Sequence, residues 1–349
     1  MMTCSRASIL WLRLLSIRNI PPSRWVPVVL RIGVEESAAR LESENGRTGL
    51  ARELGKRPDR PREAFVRGQL SKLEKEGARL VSISEADYPS LLREIHDPPP
   101  LLYLRGDPSI LGLPAICIVG SRSAGRRGIL TARSLAAGLS ARGLLVVSGL
   151  ARGIDGAAHE GALEGGGATC AVLGSGLDVC YPPENVPLAE RIERQGAVVS
   201  ELPFGTPPLR HHFPRRNRIL SGISLGVIVV EAGMRSGAMV TARMAREQDR
   251  ELFAVPGPVE KPMSRGPHAL IRNGAYLVET VDDVLAQLPP CGNAPPGRAV
   301  AGGAPRREEL SGLERRVVDA LELDPKHIDE LVRICNISPT SLFPLLLNL

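Results

Sequence analysis

At 349 residues the chain has room for two or three domains and a full-sized core, and a composition of 43% hydrophobic and 23% charged residues predicts a soluble globular protein rather than a disordered or membrane-embedded one. The net charge of +6 is modest, but all except five of the 44 basic residues are Arg, whose planar fork matches phosphate oxygens where Lys offers a point charge. The six cysteines, Cys4, Cys117, Cys170, Cys180, Cys291 and Cys335, form no C-x-x-C pair, which predicts a reduced, cytoplasmic protein without a zinc site.

Taken in order, the chain opens on an apolar run, Ser8 to Ile17, that Arg13 interrupts and no small-residue cleavage site follows; neither a signal peptide nor a membrane span is expected. Ile9, Leu10, Leu12 and Leu14 predict one short helix, and Trp25, Val28, Val29 and Ile32 a second, with Pro21-Pro22 between them. Residues 1–62 are thus expected to form a small helical domain, with the basic tract Arg52 to Arg62 as its exit linker. A helix over Phe65 to Glu76 and strands at Arg79 to Ile83 and Leu101 to Leu104 then lead into a sheet.

From Ala115 to Leu288 strands and helices alternate. Strands are predicted at Ala115 to Val119, Leu144 to Ser148, Thr169 to Leu173, Ala197 to Ser200, Gly226 to Val230, Leu252 to Val255 and Tyr276. Helices are predicted over about Arg127 to Arg142, Gly156 to Glu164, Pro187 to Arg194, from Pro214, over Ser236 to Gln248 and over Pro267 to Arg272. Strands that are apolar throughout and alternate with helices imply a parallel sheet covered on both faces. The expected fold class is therefore α/β, with the sheet domain over 63–288. Residues 289–310, rich in Pro, Gly and Ala, read as a flexible linker. Within 311–349 the capping box Ser311-x-x-Glu314 opens a helix, His327 to Ile334 forms another and Ser338-Pro339 caps a third. This predicts a helix-turn-helix-like tail that ends at Leu349 without the hairpin of a complete winged helix.

Ligands of such sheets bind outside the carboxyl ends of the strands, and four loops fall there. In the first, Gly120-Ser121-Arg122, an apolar strand breaks at glycine before a helix whose N-terminal N–H groups favour an anion. The second, Ser148-Gly149-Leu-Ala-Arg152-Gly153-Ile-Asp155, repeats that logic, with Asp155 expected to cap the following helix. The third, Arg210-His-His-Phe213-Pro-Arg215-Arg216-Asn217-Arg218, holds four arginines and no acid. The fourth, Glu231 to Thr241, offers Ser236, Gly237 and Thr241 at another helix start. From Pro108 to Ile154 there is no acid at all, while Arg122, Arg126, Arg127, Arg133, Arg142 and Arg152 fall within, which predicts a strongly positive local field. A dinucleotide site would need Gly-x-Gly-x-x-Gly and an acid about 20 residues on; both are missing, so a polyphosphate backbone is favoured over NAD.

The plainer readings are a solvated face for Arg215, Arg216 and Arg218, a surface histidine for His159 and a core ring for Phe213. No Ser/His/Asp set, metal-ligand spacing or C-x-x-C pair is present, so neither catalytic residue, metal nor cofactor is expected. Aromatics make up only 3% of the chain, which argues against a base-stacking platform of the OB-fold kind.

Ile118-Val-Gly-Ser-Arg122, Ser148-Gly-Leu-Ala-Arg-Gly-Ile-Asp155, Tyr181-Pro-Pro-Glu-Asn185, Phe213-Pro-Arg-Arg-Asn-Arg-Ile219 and Val255-Pro-Gly257 closely resemble the DNA-processing protein A (DprA/Smf) family, in order, from about Leu80 to Leu288. The resemblance implies an extended Rossmann-like domain flanked by a SAM-like helical domain and a truncated winged-helix tail. It implies a mediator that binds single-stranded DNA, helps to load the RecA recombinase in natural transformation and recombination, pairs as a homodimer through the Rossmann-like domain, and is no enzyme. Carried over, the DNA-binding pocket falls on Gly120 to Arg122, Arg210, Phe213 and Arg215 to Arg218. Pro267-His268 stands where relatives usually have Cys-Asn. The rival of another class is a nucleotide phosphoribohydrolase resembling lysine-decarboxylase-like proteins, faintly echoed by Glu231 with Ser236-Gly237, although the Pro-Gly-Gly-x-Gly-Thr order is absent.

Overall fold

The apolar runs assemble into one nine-stranded sheet of order β1-β2-β6-β5-β4-β3-β7-β8-β9 in a computed structural model. It describes residues 4–289, 317, 320, 328–338 and 342. The strands are β1 (Arg79–Ser82), β2 (Leu101–Gly106), β3 (Ala115–Gly120), β4 (Leu145–Ser148), β5 (Thr169–Val172), β6 (Ala197–Ser200), β7 (Gly226–Val230), β8 (Glu251–Ala254) and β9 (Tyr276–Leu277). All neighbours from β6 to β9 run parallel, while β1 and β2 pair antiparallel with each other, and β2 pairs antiparallel with β6.

Alternation along the strands sorts the core into two layers. On one face Ile116, Ile118, Val146, Ile228 and Val230 pack with residues of α7 (Arg126–Ala141), α8 (Ile154–Glu164) and α13 (Val281–Leu285). On the other, Cys117, Val119, Val147, Val227 and Val229 join α10 (His212–Ile223) and α11 (Gly237–Glu247). That second core continues without interruption into the N-terminal helices α1 (Arg6–Leu15), α2 (Pro22–Ile32), α3 (Val34–Glu42), α4 (Glu44–Leu54) and α5 (Glu63–Lys75), with Trp11 and Trp25 fully buried. Polar ties reinforce the join: Trp11 Nε1 donates to Ser84 Oγ at 3.0 Å, and the Gln69 amide exchanges hydrogen bonds with the Phe204 backbone. α4 runs to Leu54, so the basic tract expected as linker from Arg52 begins inside a helix. The remaining helices are α6 (Ser90–Arg93), α9 (Val186–Gln195), α12 (Arg265–Arg272) and α14 (Ile328–Cys335).

α14 matches the predicted helix at His327 to Ile334, and its Leu331 and Cys335 are buried with Val317, Ala320 and Leu342. The linker after its first residue, the Ser311–Glu314 capping box, most of the third helix and the question of a hairpin lie outside the described residues.

Gly120 ends β3 where no side chain fits: an added Cβ would lie 1.9 Å from the Val230 carbonyl and 2.5 Å from Ile154 Cγ1. Gly120→Ala is expected to destabilise the fold by about 1–3 kcal/mol through overpacking, measurable as a lowered thermal midpoint; an unchanged midpoint would mean that β3 and β7 can part at this end.

Candidate nucleic-acid interface

The four loops meet above the carboxyl ends of the strands, around a cavity of about 910 Å³. The first, second and fourth loops each lead into a helix with a glycine or serine at its N-cap, whereas the third stretch is mostly helical, with α10 starting at His212. Gly153, at φ +73, begins α8 against the first loop, where a Cβ would meet the Ser121 carbonyl at 2.3 Å. The Ile154 N–H donates to that carbonyl at 3.2 Å, which ties the first two loops together. Asn185 holds the second loop from outside, its amide donating to the Leu150 and Ala151 carbonyls at 2.9 and 3.3 Å.

Gly120, Ser121, Arg122, Arg210, Phe213, Arg216, Asn217, Ser236, Gly237 and Thr241 line the cavity. Arg122 is exposed, and its guanidinium lies 5.3 Å over the Phe213 ring. Phe213 in turn leans on Tyr181 with ring centres 5.8 Å apart, which makes it half-buried rather than the core ring of the plainer reading. Arg210 stands exposed on the rim. Ser236 is the N-cap of α11 without a side-chain cap bond, and its buried hydroxyl has no partner among the described residues. The lining thus carries three arginines, the exposed Arg122 and Arg210 and the buried Arg216, with a helix N-terminus, an arrangement that favours anions, and the buried Asp155 as the acid among them. Leu220, Val240, Met263 and Pro208 add apolar surface.

Gly149 and Arg152 border a small adjoining cleft with Arg122, Tyr181 and Phe213, and Arg152 pairs there with Glu184. Ser148 is fully buried, its hydroxyl donating to the Ile118 carbonyl at 2.6 Å, so it braces two strands and does not face the cavity. Gly153 shapes the loops without lining the space. Arg218 is buried and paired with Glu201 and, at 3.3 Å, with Asp97. Arg215 is half-exposed and bonded to the same Glu201 at 2.8 Å. Neither arginine is part of the cavity wall; Arg215 lies on the surface, as the plainer reading has it, and Arg218 does not. Arg216 is inside the wall, only 5% exposed, and donates to the Gly149 and Val172 carbonyls and to Asn217 Oδ1.

Two local expectations need correction. Asp155 does not cap α8; Gly153 holds that position, and Asp155 sits buried in the first turn. Burial pushes its carboxyl pKa up, while the nearby Arg216 charge and the N–H groups of Ala151 and Gly149 oppose that rise. His159 is no surface residue but fully buried, its Nδ1 2.7 Å from the Thr169 hydroxyl, and burial lowers its pKa to about 3. The acid-free window is also less positive in space than in sequence, because Arg133, Arg142 and Arg152 pair with Glu164, Asp282 and Glu184 from beyond it. Tyr181 is a wall residue that reasoning from charge missed; the signal was its place in Tyr181-Pro-Pro, an aromatic beside a turn. Among the described residues no group of three or more His, Cys, Asp or Glu is placed to hold a metal, and no helix is long and apolar enough to cross a membrane.

Residues 79–289 match the family model of DNA recombination-mediator protein A, and 302–349 match that of the DprA winged helix domain. Protein Smf of Escherichia coli K12 is 40% identical over 281 residues, covering 80% of this chain and 74% of that protein. DNA processing protein DprA of Streptococcus pneumoniae R6 is 46% identical over 218 residues, 62% of this chain and 77% of that protein. The X-ray structure of DNA processing protein A from Streptococcus pneumoniae superposes with a TM-score of 0.68 at 36% identity, over 82% of this chain and 99% of that one. A Helicobacter pylori DNA processing protein A, whose structure was described for its single-stranded DNA binding mode, superposes with a TM-score of 0.54 at 29% identity, over 59% of this chain and 94% of that one. With the family model spanning the whole sheet and its cavity, the chain belongs to the DNA recombination-mediator protein A family.

Proposed function

We propose that the chain is a single-stranded DNA-binding mediator whose strand crosses the 910 Å³ cavity with phosphates on Arg122, Arg210 and the α11 N-terminus. The observation that carries this reading is that two exposed arginines and an uncapped helix start line one cavity. A cavity of that size exceeds a single phosphate and suits a stretch of polynucleotide. Its recess between loops admits a pliable strand better than a stiff duplex. Membership of the family supports the further roles: protecting exposed or incoming strands and helping to load RecA in transformation and recombination. A second copy would pair through the sheet domain, where the edge strand β9 leaves Tyr276 and Leu277 40% and 46% exposed and thus open to association. The chain acts in this reading by holding DNA in the cytoplasm, with no turnover and no cofactor. Glu231, on which the hydrolase alternative turned, spends one carboxylate oxygen on the Gly125 N–H at 2.8 Å.

Arg122→Ala is expected to weaken binding to all single-stranded sequences alike by about 1–3 kcal/mol, the range of a charge-assisted contact. The slope of log affinity against log salt should fall by about 0.7, the share of one phosphate on a single strand. Fluorescence anisotropy with labelled oligonucleotides across a salt series reads both, and a variant that keeps affinity and slope would remove the cavity from the DNA path.

A further inference from the structure

Helix α7 begins where an α/β sheet ordinarily offers its first phosphate position, yet that position is taken from within the chain. Glu231 follows β7 at φ +47, a left-handed conformation uncommon outside glycine. Its carbonyl accepts the Ser121 N–H at 2.7 Å, and its Oε2 accepts the N–H of Gly125, the N-cap of α7, at 2.8 Å. Gly125 offers no side-chain cap of its own. Gly128, one turn in, leaves room for the carboxylate: a Cβ there would stand 2.5 Å from Glu231 Cδ. A strained backbone, two hydrogen bonds and a glycine that clears space all serve one placement. The carboxylate also borders a second cavity of about 290 Å³, with Thr131, Gly257 and Ser264 on its walls, so solutes of small size have access to it.

We infer that Glu231 is a resident anion that occupies the phosphate position of α7. A tethered carboxylate competes at the high effective concentration of an intramolecular group, so free phosphate and mononucleotides are kept out. By gripping Ser121 and Gly125 it also fixes both ends of the loop that carries Arg122. Glu231 is thus a positioning residue that turns a mononucleotide-type site into one where phosphate is met by Arg122, Arg210 and the neighbouring α11 start rather than by α7. Its consequence for DNA rests on the reading of the large cavity as a single-stranded DNA site; the occupancy of α7 does not.

The test replaces Glu231 in the full chain by Gly, which tolerates the positive φ and vacates the position. Thermal unfolding is followed at constant ionic strength in chloride, formate, inorganic phosphate or adenosine monophosphate. The wild type should show only the shift that phosphate gives any folded protein and the Arg122 site, whereas Glu231→Gly should start lower and regain about 2–4 °C more than that at a roughly fivefold excess of the rescuing anion over its Kd; equal shifts in both proteins overturn the inference. Glu231→Gln, which refills the space without charge, should show no rescue. Should the glycine variant not fold in chloride, Glu231→Asn, also tolerant of positive φ and one methylene shorter, is read the same way. A variant as stable as wild type, or one that no anion stabilises beyond chloride, overturns the inference. In the DNA arm, adenosine monophosphate should displace a labelled oligonucleotide from Glu231→Gly at concentrations that leave wild type bound; equal resistance overturns the exclusion role. If neither protein binds the oligonucleotide while anion rescue persists, the DNA reading fails and the resident anion stands.

Discussion

Arg216→Met is expected to lower the stability of the sheet domain by about 2–4 kcal/mol, the cost of taking a guanidinium away from two buried carbonyls and a nearby buried carboxyl. Arg216 is carried on α10 into the core beneath the cavity, where its Nη1 donates to the Gly149 carbonyl at 2.9 Å and to that of Val172. Its charge faces Asp155, which is 6% exposed. Burial lowers the guanidinium pKa and raises that of the carboxyl, and each group opposes the other's shift. Without Arg216 the buried Asp155 carboxylate keeps only the weaker influence of the Arg122 charge, and the Gly149 and Val172 carbonyls lose this donor. Adding Asp155→Asn to the variant should recover more than half of the loss, because a neutral pair of similar volume carries no such penalty. Urea unfolding of both single variants and the double variant measures the coupling; a loss below about 1 kcal/mol for Arg216→Met would show that water replaces the guanidinium.

Acidification should destabilise the protein through His159. The Thr169 hydroxyl donates to the Val146 carbonyl at 2.7 Å, so it can only accept from the imidazole, which places the proton on Nδ1. Nε2 is buried with no partner among the described residues, and burial, helped by the Arg216 charge, lowers the pKa to about 3. The unfolded chain takes up a proton below about pH 6.5, while the folded chain does not. Stability is therefore highest above that value and falls as pH drops, by about 1.4 kcal/mol per unit until the folded pKa is reached. Asp155 acts with the opposite sign, since its raised carboxyl pKa lets the folded state bind a proton first. The imidazole's own share is read between about pH 6.5 and 5 by comparison with a His159 variant that keeps Asp155. His159→Asn, which keeps an N–H donor for Thr169, should flatten urea midpoints measured across that window; equal slopes for variant and wild type would assign the acid sensitivity to other groups.

Local sequence makes the central strands legible because each of their apolar runs is short, bounded and buried on both sides. Ile116 to Val119 and Gly226 to Val230 lie side by side in register, as runs of that kind must in a parallel sheet. The loops at their carboxyl ends follow from the same pattern. What a sequence window does not contain is a partner from elsewhere in the chain. Arg218 reads as part of a basic cluster until the fold brings Glu201 and Asp97 to it. Asp155 reads as a cap because it follows a glycine-rich turn, whereas the helix starts one residue earlier and draws the side chain inward. His159 lies among Ala157, Ala158, Gly161 and Ala162, small residues that let α8 pack closely on its neighbours, Gly161 against the α7 backbone at Arg133, and that closeness buries the imidazole. Glu231 is the clearest instance: its partner Gly125 lies 106 residues earlier, and a phosphate position read from the glycine loop alone is already filled.

The placement of Arg122 over Phe213, itself supported by Tyr181, bears on the entropy of association. A free arginine gives up much rotamer freedom when a ligand fixes it, at about 0.5–1.5 kcal/mol per side chain. Here the ring restrains the guanidinium while leaving its N–H edge exposed, so much of that loss occurs during folding rather than at encounter. Phe213 thereby contributes to affinity without touching a base. An arriving strand meets a donor already oriented, and little further ordering of that side chain stands between first contact and capture.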